Sequence, residues 1–523
     1  MPPPPTARIV SPMPRSGRFI SAAWLIATLT LGSRILGLLR ECIFSYYFST
    51  TELLSAFRIA FMAPNLARRL FGEGALSSAM IPVLTDSLEK DGVEPARRLV
   101  GSLLSILAIV LVALILIVEA VISIWRNIRD DAALELAAIL MPYLGLICMV
   151  AIVSSVLHVR GHFATPAAVP MILNLGLIGA ILFAAMDANA SSLQLMYAAC
   201  GGVLVAGAIQ LLAVSVALRA KYFSPIFGGA WRDPQIRRVG TLMGPMVLGL
   251  AAVQINSLVD YLIAYWYVSI DGQRGGPAIL GYAQYLYQLP LGVFGIAIAT
   301  AIFPVLAQRA SANDRSGVAE TFARGIRLSL FLALPASVGL LFVAHPLVAT
   351  LYERGKFDAA DTQRVAMTLF FYAIGVGGYF AQHILVRTFY ALQDSKTPAR
   401  VSLVMVGVNF AMNMALVFVM EERGLALATA VCGLTQAAWL ARRLAILLPE
   451  ISWRPIIAGV LRLLWATTLM AGVLAALTWH PAARSLYSGS TLLELVVLVA
   501  GGVTTYVIAG KVLRINELRS VLY

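Results

Sequence analysis

The sequence predicts an all-α polytopic membrane protein with about fourteen transmembrane helices, and two observations carry that prediction. First, 60% of the 523 residues are hydrophobic, only 12% are charged, and the mean hydropathy is +0.84. In soluble domains about a quarter of the residues are charged. Second, apolar runs of about 20 residues, the length that crosses a bilayer, recur along the whole chain with short connections. No stretch of ordinary soluble-domain size remains between these runs.

The individual spans are apolar runs bounded by charged residues, glycine or proline. They are expected at residues 20–47, 51–88, 97–122, 132–158, 165–186, 193–218, 238–268, 277–308, 325–344, 361–391, 398–420, 424–441, 455–478 and 491–510. The segment before the first run, residues 1–19, holds prolines and three arginines but no signal-peptide cleavage pattern. We therefore expect residues 1–19 to form a disordered tail that is retained on the cytoplasmic side.

The distribution of basic residues predicts the orientation, because lysine and arginine gather in short cytoplasmic loops. With the amino terminus inside, 24 of the 39 lysines and arginines fall in cytoplasmic segments, 8 in outer loops and 7 inside spans. Both termini are therefore expected in the cytoplasm. The same distribution explains the pI of about 9.8, so a basic surface for nucleic acid is the weaker interpretation.

Seven arginines lie inside predicted spans, where each costs at least about 2.5 to 3.5 kcal/mol on insertion scales. They are Arg34, Arg40, Arg58, Arg68, Arg69, Arg387 and Arg462. Five of the seven belong to the first two spans, which predicts a cationic cavity wall and an anionic substrate. Arginine suits phosphate because its planar fork stays protonated and donates two hydrogen bonds at once. For Arg68, Arg69, Arg387 and Arg462, the alternative is that the side chain snorkels to the interface.

Two acids stand close to these cations, and one proline interrupts the second span. Glu41 follows Arg40 directly, and Glu73 follows the second-span arginines, so both acids could hold the cations in the absence of a ligand. Pro64 removes a backbone donor and disfavours a continuous helix. A broken helix of this kind is typical of transporter substrate sites, and a simple packing kink is the alternative.

A second group of polar residues in the spans suggests a cation-coupling site. Asp260 lies well inside the seventh span, Asn409 and Asn413 face one way in the eleventh span, and Thr429 lies in the twelfth. Carboxylate, amide and hydroxyl oxygens are the ligands of hard cations such as sodium. The alternative is that the asparagines merely form hydrogen bonds between helices.

Other classes of function find little support in the sequence. The four cysteines lie in apolar runs without CxxC spacing, the five histidines are scattered, and neither a nucleophile elbow nor a P-loop occurs. No cofactor is therefore expected. A membrane enzyme acting on lipid-linked sugars would need clustered acids, for which Glu353, Asp358 and Asp361 are a weak candidate. A drug or cation antiporter would favour an acidic cavity instead of a cationic one.

Several collinear blocks resemble the MurJ (MviN) family of lipid II flippases in the multidrug/oligosaccharidyl-lipid/polysaccharide (MOP) exporter superfamily. These blocks cover nearly the full length, at residues 32–41, 63–84, 161–178, 254–264, 287–306, 351–362 and 387–398. The resemblance implies two six-helix lobes around a central cavity, residues 20–219 and 220–447, followed by two carboxy-terminal helices in residues 448–523. It also implies a bacterial inner-membrane location and no enzymatic activity.

The same resemblance implies the ligands and partners. Arg34, Arg40 and Arg68 match the family's cavity arginines, and Glu73 matches a family acid. These side chains would meet the pyrophosphate of lipid II while the polyprenyl tail stays in lipid. Some relatives bind sodium with groups placed like those around Asp260, so coupling to sodium or to the membrane potential is expected. Membrane lipids and cell-wall synthases are further expected partners.

The sequence departs from the family pattern at four positions. Gln284 and Tyr285 stand where many relatives have an Asp-Arg pair, Ser55 replaces an acid, and Met62 replaces a basic residue. Arg58 lies one turn before Met62 on the same helical face, so the charge has shifted along the helix. These changes leave open a flippase for a different polyprenyl-linked glycan.

Overall fold

The computed structural model describes residues 16–67, 75–126, 131–221, 223–228, 233–269, 272–481, 485, 487 and 489–518. Residues 1–15 of the expected tail, together with Arg68, Arg69 and Glu73, lie outside these ranges. Residues 16–19 already belong to the first helix, which begins at Ser16.

The described residues fold into α-helices that follow the predicted spans. These helices are α1 (Ser16–Phe48), α2 (Glu52–Ala67), α3 (Ala75–Lys90), α4 (Val93–Arg126), α5 (Ala132–Val159), α6 (Ala164–Ala184), α7 (Ser192–Ala220), α8 (Pro234–Tyr267), α9 (Gly276–Pro290), α10 (Ile296–Ser311), α11 (Arg315–Tyr352), α12 (Ala359–Ala391), α13 (Lys396–Leu447), α14 (Trp453–Trp479) and α15 (Thr491–Val512). Ten helical segments within the described residues are long and apolar enough to cross a membrane. The prediction of an all-α polytopic membrane protein is confirmed.

The eighth predicted span contains an irregular helical turn. In the second span, α2 is helical through Pro64 and for three residues beyond it, up to the end of the described range, and α3 begins at Ala75. In the eighth span, α9 ends at Pro290, and a π-helical turn, Leu291–Gly295, leads into α10. Proline lacks the backbone donor that a regular turn requires, and π turns of this kind often occur at functional sites.

The eleventh and twelfth predicted spans are the two helical halves of α13, which a sharp kink at Glu421 separates. Glu421 has φ 51° and ψ −133°, a backbone conformation that is costly for a residue with a side chain. Arg364 of α12 holds this corner, because its Nη2 donates to Glu421 Oε2 at 2.6 Å and to Glu422 Oε2 at 2.8 Å. Its Nε also donates to Glu422 Oε1 at 3.1 Å, and Glu422 is fully buried. The bidentate pair stabilises the sharp turn between the two halves of α13.

The helices group into two compact units. Unit 1 comprises Met1–Ile43 and Ala56–Gln254, and unit 2 comprises Phe44–Ser55 and Ile255–Tyr523. Helices α1, α2 and α8 therefore contribute to both units. The lobe boundaries predicted from the resemblance stay a prediction.

Small residues bring α6 and α7 of unit 1 into close contact. A Cβ atom added to Gly202 would lie 2.6 Å from the Gly176 carbonyl oxygen and 2.6 Å from Ala180 Cβ. Between helices in lipid there is little hydrophobic driving force, so close backbone packing of this kind supplies much of the attraction. Gly202 is thus a packing position.

In unit 2 the two carboxy-terminal helices attach to α11. Buried Leu463 and Met470 of α14 and Leu498 of α15 share one core cluster with Phe331 of α11. The Tyr506 hydroxyl donates to the Phe331 carbonyl at 2.8 Å. A salt bridge of 2.8 Å between Arg327 Nε and Glu517 Oε1 closes one end of this contact.

We expect Gly202→Ala to destabilise the protein, because the added methyl group has no space against α6. Overpacking of this kind costs about 1 to 3 kcal/mol. The matched control is Gly201→Ala on the same helix, where a Cβ atom meets nothing within 4 Å. Thermal unfolding of both purified variants in detergent measures the effect, and equal midpoints would contradict the packing role.

Candidate functional site

A buried cluster of two arginines, one glutamate and one asparagine forms in unit 1. Arg40 Nη2 donates to Glu41 Oε1 at 2.6 Å, and Arg58 Nη2 donates to Glu41 Oε2 at 2.7 Å. Arg40 Nη1 also donates to Asn174 Oδ1 at 3.0 Å. The exposed fraction is 2% for the Glu41 side chain, 19% for Arg40 and 13% for Arg58. One carboxylate therefore holds two guanidinium groups inside an apolar helical unit. We call these four residues the cationic cluster.

The local sequence explains how three helices build this cluster. Arg40 and Glu41 are neighbours on α1, so they point about 100° apart around the helix axis and Glu41 can reach α2. Asn174 of α6 accepts from Arg40 and donates from its Nδ2 to the Ser33 carbonyl at 3.1 Å. Asn174 thereby links α6 to α1 at two points, Ser33 and Arg40. Arg34 lies between these two points in the chain. Sequence reasoning missed Asn174, although a polar amide within an apolar span is itself a signal.

The charge of the cationic cluster suits an anionic ligand. Two guanidinium groups stay protonated, and a single carboxylate leaves one net positive charge in a place with little water. Bidentate arginine contacts to carboxylates and to phosphates have the same geometry. The Glu41 carboxylate thus occupies the position that phosphate oxygens could take.

The structure describes only some of the other residues expected at this site. Arg34 lies on α1, six residues before Arg40, and its side chain is partly exposed. Arg68 and Glu73 lie outside the described residues. The structure brings Arg40 and Arg58 together through Glu41.

The residues expected to bind a coupling cation come together in unit 2. Asn413 Nδ2 donates to Asp260 Oδ1 at 2.6 Å and to Asn409 Oδ1 at 2.8 Å. Thr429 Oγ1 lies 3.3 Å from Asp260 Oδ2 and 3.5 Å from Asn409 Nδ2. Asp260 is 2% exposed, and Asn409 and Asn413 are almost completely buried. We call these four residues the oxygen cluster.

One atom of the oxygen cluster lacks a hydrogen bond. Asn413 Oδ1 is buried and has no hydrogen-bond partner among the residues that the structure describes. Leaving a buried acceptor unsatisfied costs about 1 to 3 kcal/mol. Oxygens of this type, together with the Asp260 carboxylate and the Thr429 hydroxyl, are ligands for a hard monovalent or divalent cation. In the described part of the chain no group of three or more His, Cys, Asp or Glu side chains could hold a metal ion.

Gln284, one of the positions at which a departure from the family pattern is expected, joins three helices of unit 2. The Tyr261 hydroxyl of α8 donates to Gln284 Oε1 at 3.1 Å, and Gln284 Nε2 of α9 donates to the Tyr372 hydroxyl of α12 at 3.3 Å. Tyr372 is fully buried. Because Tyr261 is adjacent to Asp260, this bridge connects the helix of the oxygen cluster with α9. The role of Gln284 as a bridge was not apparent from the sequence.

The three acids considered for an enzymatic site are engaged in local structure. Asp358 Oδ1 accepts from the Asp361 backbone N–H at 2.9 Å and caps α12. Asp361 in turn accepts from the hydroxyls of Ser49 and Thr50. Glu353 Oε2 accepts from the Thr362 hydroxyl at 2.7 Å. These contacts stabilise the α11–α12 connection and do not favour a hydrolytic role.

Solved structures of transporters share this fold. A structure described as the lipid II flippase MurJ in an inward closed conformation has a TM-score of 0.77 and 23% identity, covering 95% of this chain and 100% of that chain. An inward-facing multidrug resistance MATE family transporter of the MOP superfamily has a TM-score of 0.61 and 15% identity, covering 81% and 94%. The predicted MOP-like fold is therefore confirmed.

Sequence comparison identifies the family. The family model described as lipid II flippase MurJ matches residues 44–497. A probable lipid II flippase MurJ of Rhizobium tropici is 34% identical over 482 residues, which are 89% of this chain and 88% of the relative. The lipid II flippase MurJ of Burkholderia cenocepacia is 31% identical over 420 residues, covering 78% and 80%. The chain therefore belongs to the lipid II flippase MurJ family, and it is a transporter and not an enzyme.

Proposed function

We propose that this chain moves lipid II from the cytoplasmic to the outer leaflet of the bacterial inner membrane by alternating access, with both termini in the cytoplasm. The cationic cluster is the observation that carries the proposal. Buried arginines are costly in lipid, and a ligand with a pyrophosphate group would complement their charge. The named relatives in the family support lipid II as that ligand.

Binding at the cationic cluster is an exchange of anions. In the structure, Arg40 and Arg58 donate to the Glu41 carboxylate at 2.6 and 2.7 Å. When the substrate binds, the pyrophosphate oxygens replace this carboxylate on the two guanidinium groups. Arg34, which also lies on α1, adds further positive charge, and Arg68 is a further cation that the family resemblance implies. The polyprenyl tail remains in lipid, since moving it into a polar cavity would lose hydrophobic stabilisation.

Glu41 limits how tightly the substrate is held. In the absence of the ligand it satisfies both guanidinium groups, so the free site does not keep two uncompensated buried cations. The same carboxylate competes with the pyrophosphate and lowers its affinity. A transporter must release its substrate as well as bind it. Competition from the Glu41 carboxylate favours this release on the far side.

The oxygen cluster is proposed to take the coupling cation, sodium. Its residues fit this role, because Asn413 Oδ1 is a buried acceptor that needs a donor or a cation. A bound sodium ion would neutralise the single carboxylate of Asp260. Asn409 and Thr429 hold the Asn413 amide and the carboxylate in place. Coupling to the membrane potential through the charge of Asp260 is the alternative source of energy.

The expected partners follow from this function. Lipid II is the transported substrate, membrane lipids surround the helices, and cell-wall synthases consume the flipped precursor. Measuring the flipping of lipid II and of an unrelated polyprenyl-linked glycan in parallel distinguishes the two candidate substrates.

Arg40→Ala is expected to lower lipid II flipping in proteoliposomes at least tenfold, because a fork that binds the pyrophosphate is lost. Arg34→Ala is expected to act in the same direction. Flipping is measured with labelled lipid II and, in parallel, with an unrelated polyprenyl-linked glycan, by the access of the label on the far leaflet. Flipping of only the unrelated glycan by the wild type would contradict lipid II as substrate.

A control separates the loss of the fork from damage to the fold. Arg40→Ala leaves Glu41 and Arg58 as a one-to-one ion pair among the described residues, so both remaining charges keep a counter-charge. We therefore expect Arg40→Ala to unfold close to the wild-type temperature and still fail to flip. Full activity of this variant would contradict binding at the cationic cluster.

Asp260→Asn is expected to abolish the dependence of flipping on a sodium gradient, because the only carboxylate of the oxygen cluster is removed. The amide has nearly the same shape and can still bond to Asn413, so the fold is retained. Flipping rates of proteoliposomes under sodium and potassium gradients, at zero and at imposed membrane potential, measure the effect. An Asp260→Asn protein that still responds to sodium like the wild type would rule out this site.

A further inference from the structure

A pocket lies on the carboxy-terminal half of α13 and includes no residue of the two clusters described above. It has a volume of about 610 Å³ and is lined by Thr435, Ala438, Trp439, Arg442, Arg443 and Ile446. These residues recur at intervals of three and four, which places them along one face of the helix. Leu440 and Leu444 on the other face are fully buried in the core of unit 2. Most of the lining therefore lies on the side of α13 that faces away from this core, and Trp439 also packs against the core.

The two arginines of this pocket carry uncompensated charge. Neither Arg442 nor Arg443 has an ion pair or a side-chain hydrogen bond with any residue that the structure describes. The acid that follows them in the chain, Glu450, is occupied, because Arg315 Nε donates to its Oε1 at 2.5 Å. Two adjacent guanidinium groups thus present their donors to whatever occupies the pocket.

The position of the pocket on α13 matches the depth of lipid headgroups. The helix ends at Leu447, so Arg442 and Arg443 lie about 6 to 8 Å inside its end at 1.5 Å per residue. Trp439 stands one turn further in, as is usual for aromatic residues at a membrane interface. Ile446 is 69% exposed. Basic side chains therefore lie at the depth of the lipid phosphate, and an aromatic ring lies one turn deeper, at the depth of the glycerol and the first acyl carbons.

We propose that this pocket binds the phosphate headgroup of an anionic phospholipid. Arg442 and Arg443 donate to the phosphate oxygens, and Trp439 and Ala438, which lie deeper, contact the glycerol and the first acyl carbons. Basic pockets beside transmembrane helices are known to select such lipids, and the volume is typical of a small-ligand site. The proposal does not depend on which headgroup the protein transports, because it uses none of the residues of the cationic cluster.

The general attraction of basic loops to anionic membranes is the competing explanation, and a matched variant separates the two. Arg442→Ala/Arg443→Ala removes two charges from the pocket. Arg400→Ala/Arg454→Ala removes two exposed arginines from the same predicted side of the membrane but outside the pocket. Neither pair includes a residue assigned to transport, and all four side chains are exposed, so both variants should fold.

Native mass spectrometry of the purified full-length proteins tests the proposal. Each protein is titrated with phosphatidylglycerol, phosphatidylcholine and an undecaprenyl pyrophosphate probe. We expect wild type and Arg400→Ala/Arg454→Ala to retain phosphatidylglycerol in preference to phosphatidylcholine. Arg442→Ala/Arg443→Ala should bind phosphatidylglycerol about thirtyfold more weakly, since each basic side chain contributes about 1 kcal/mol and about 1.4 kcal/mol corresponds to a factor of ten.

Three results would overturn this inference. Equal phosphatidylglycerol affinity in all three proteins would exclude the pocket as its site. An equal loss in both double variants would show general surface attraction. A loss confined to undecaprenyl pyrophosphate in Arg442→Ala/Arg443→Ala would assign the pocket to the substrate path instead. Failure of lipid II flipping in the wild type would leave the expected phosphatidylglycerol result unchanged, so the two proposals are tested separately.

Discussion

The cost of keeping a charge in lipid governs the functional part of this molecule. In unit 1 that cost is met by one carboxylate, Glu41, which lies between Arg40 and Arg58 at 2.6 and 2.7 Å. Removing either guanidinium from such an arrangement leaves the carboxylate less compensated, and removing the carboxylate leaves two cations in a poorly solvated place. The three side chains must therefore be considered together. Asn174 adds a neutral partner that also ties α6 to α1.

Unit 2 meets the same constraint with amides, hydroxyls and one carboxylate. Within the described residues, Asp260 has hydrogen bonds from Asn413 and Thr429 and no salt bridge. Asn413 donates its amide hydrogens to two oxygens, and its own oxygen has no donor among the described residues. Buried polar atoms are usually satisfied, so this oxygen is the observation on which the proposed cation site rests. Two helical irregularities lie in the same unit, the π-helical turn after Pro290 and the corner at Glu421.

Much of the candidate site could be predicted from single residues and their spacing. Arginines within apolar runs are rare enough that Arg40 and Arg58 stood out, and the i, i+4 spacing of Asn409 and Asn413 placed both on one face. Asn174 and Gln284 did not stand out in this way. A polar amide in a span indicates that a hydrogen-bond partner lies nearby, but only the approach of α6 to α1, or of α9 to α8 and α12, shows which residue that partner is. Arg442 and Arg443 were attributed to membrane orientation, because a sequence cannot show that a cavity adjoins them.

The sequence by itself determined the class of fold, the order of the spans and the presence of costly charges in the first two of them. Hydropathy and charge act along the chain, residue by residue, so they can be read without any contact. Only the tertiary structure decided which charges meet. The pairing of Glu41 with two arginines, the convergence of Asp260, Asn413 and Thr429, and the corner held by Arg364 all join residues that are distant in sequence or differently oriented. Such contacts depend on helix packing and rotation, which backbone approach at small residues such as Gly176 and Gly202 fixes.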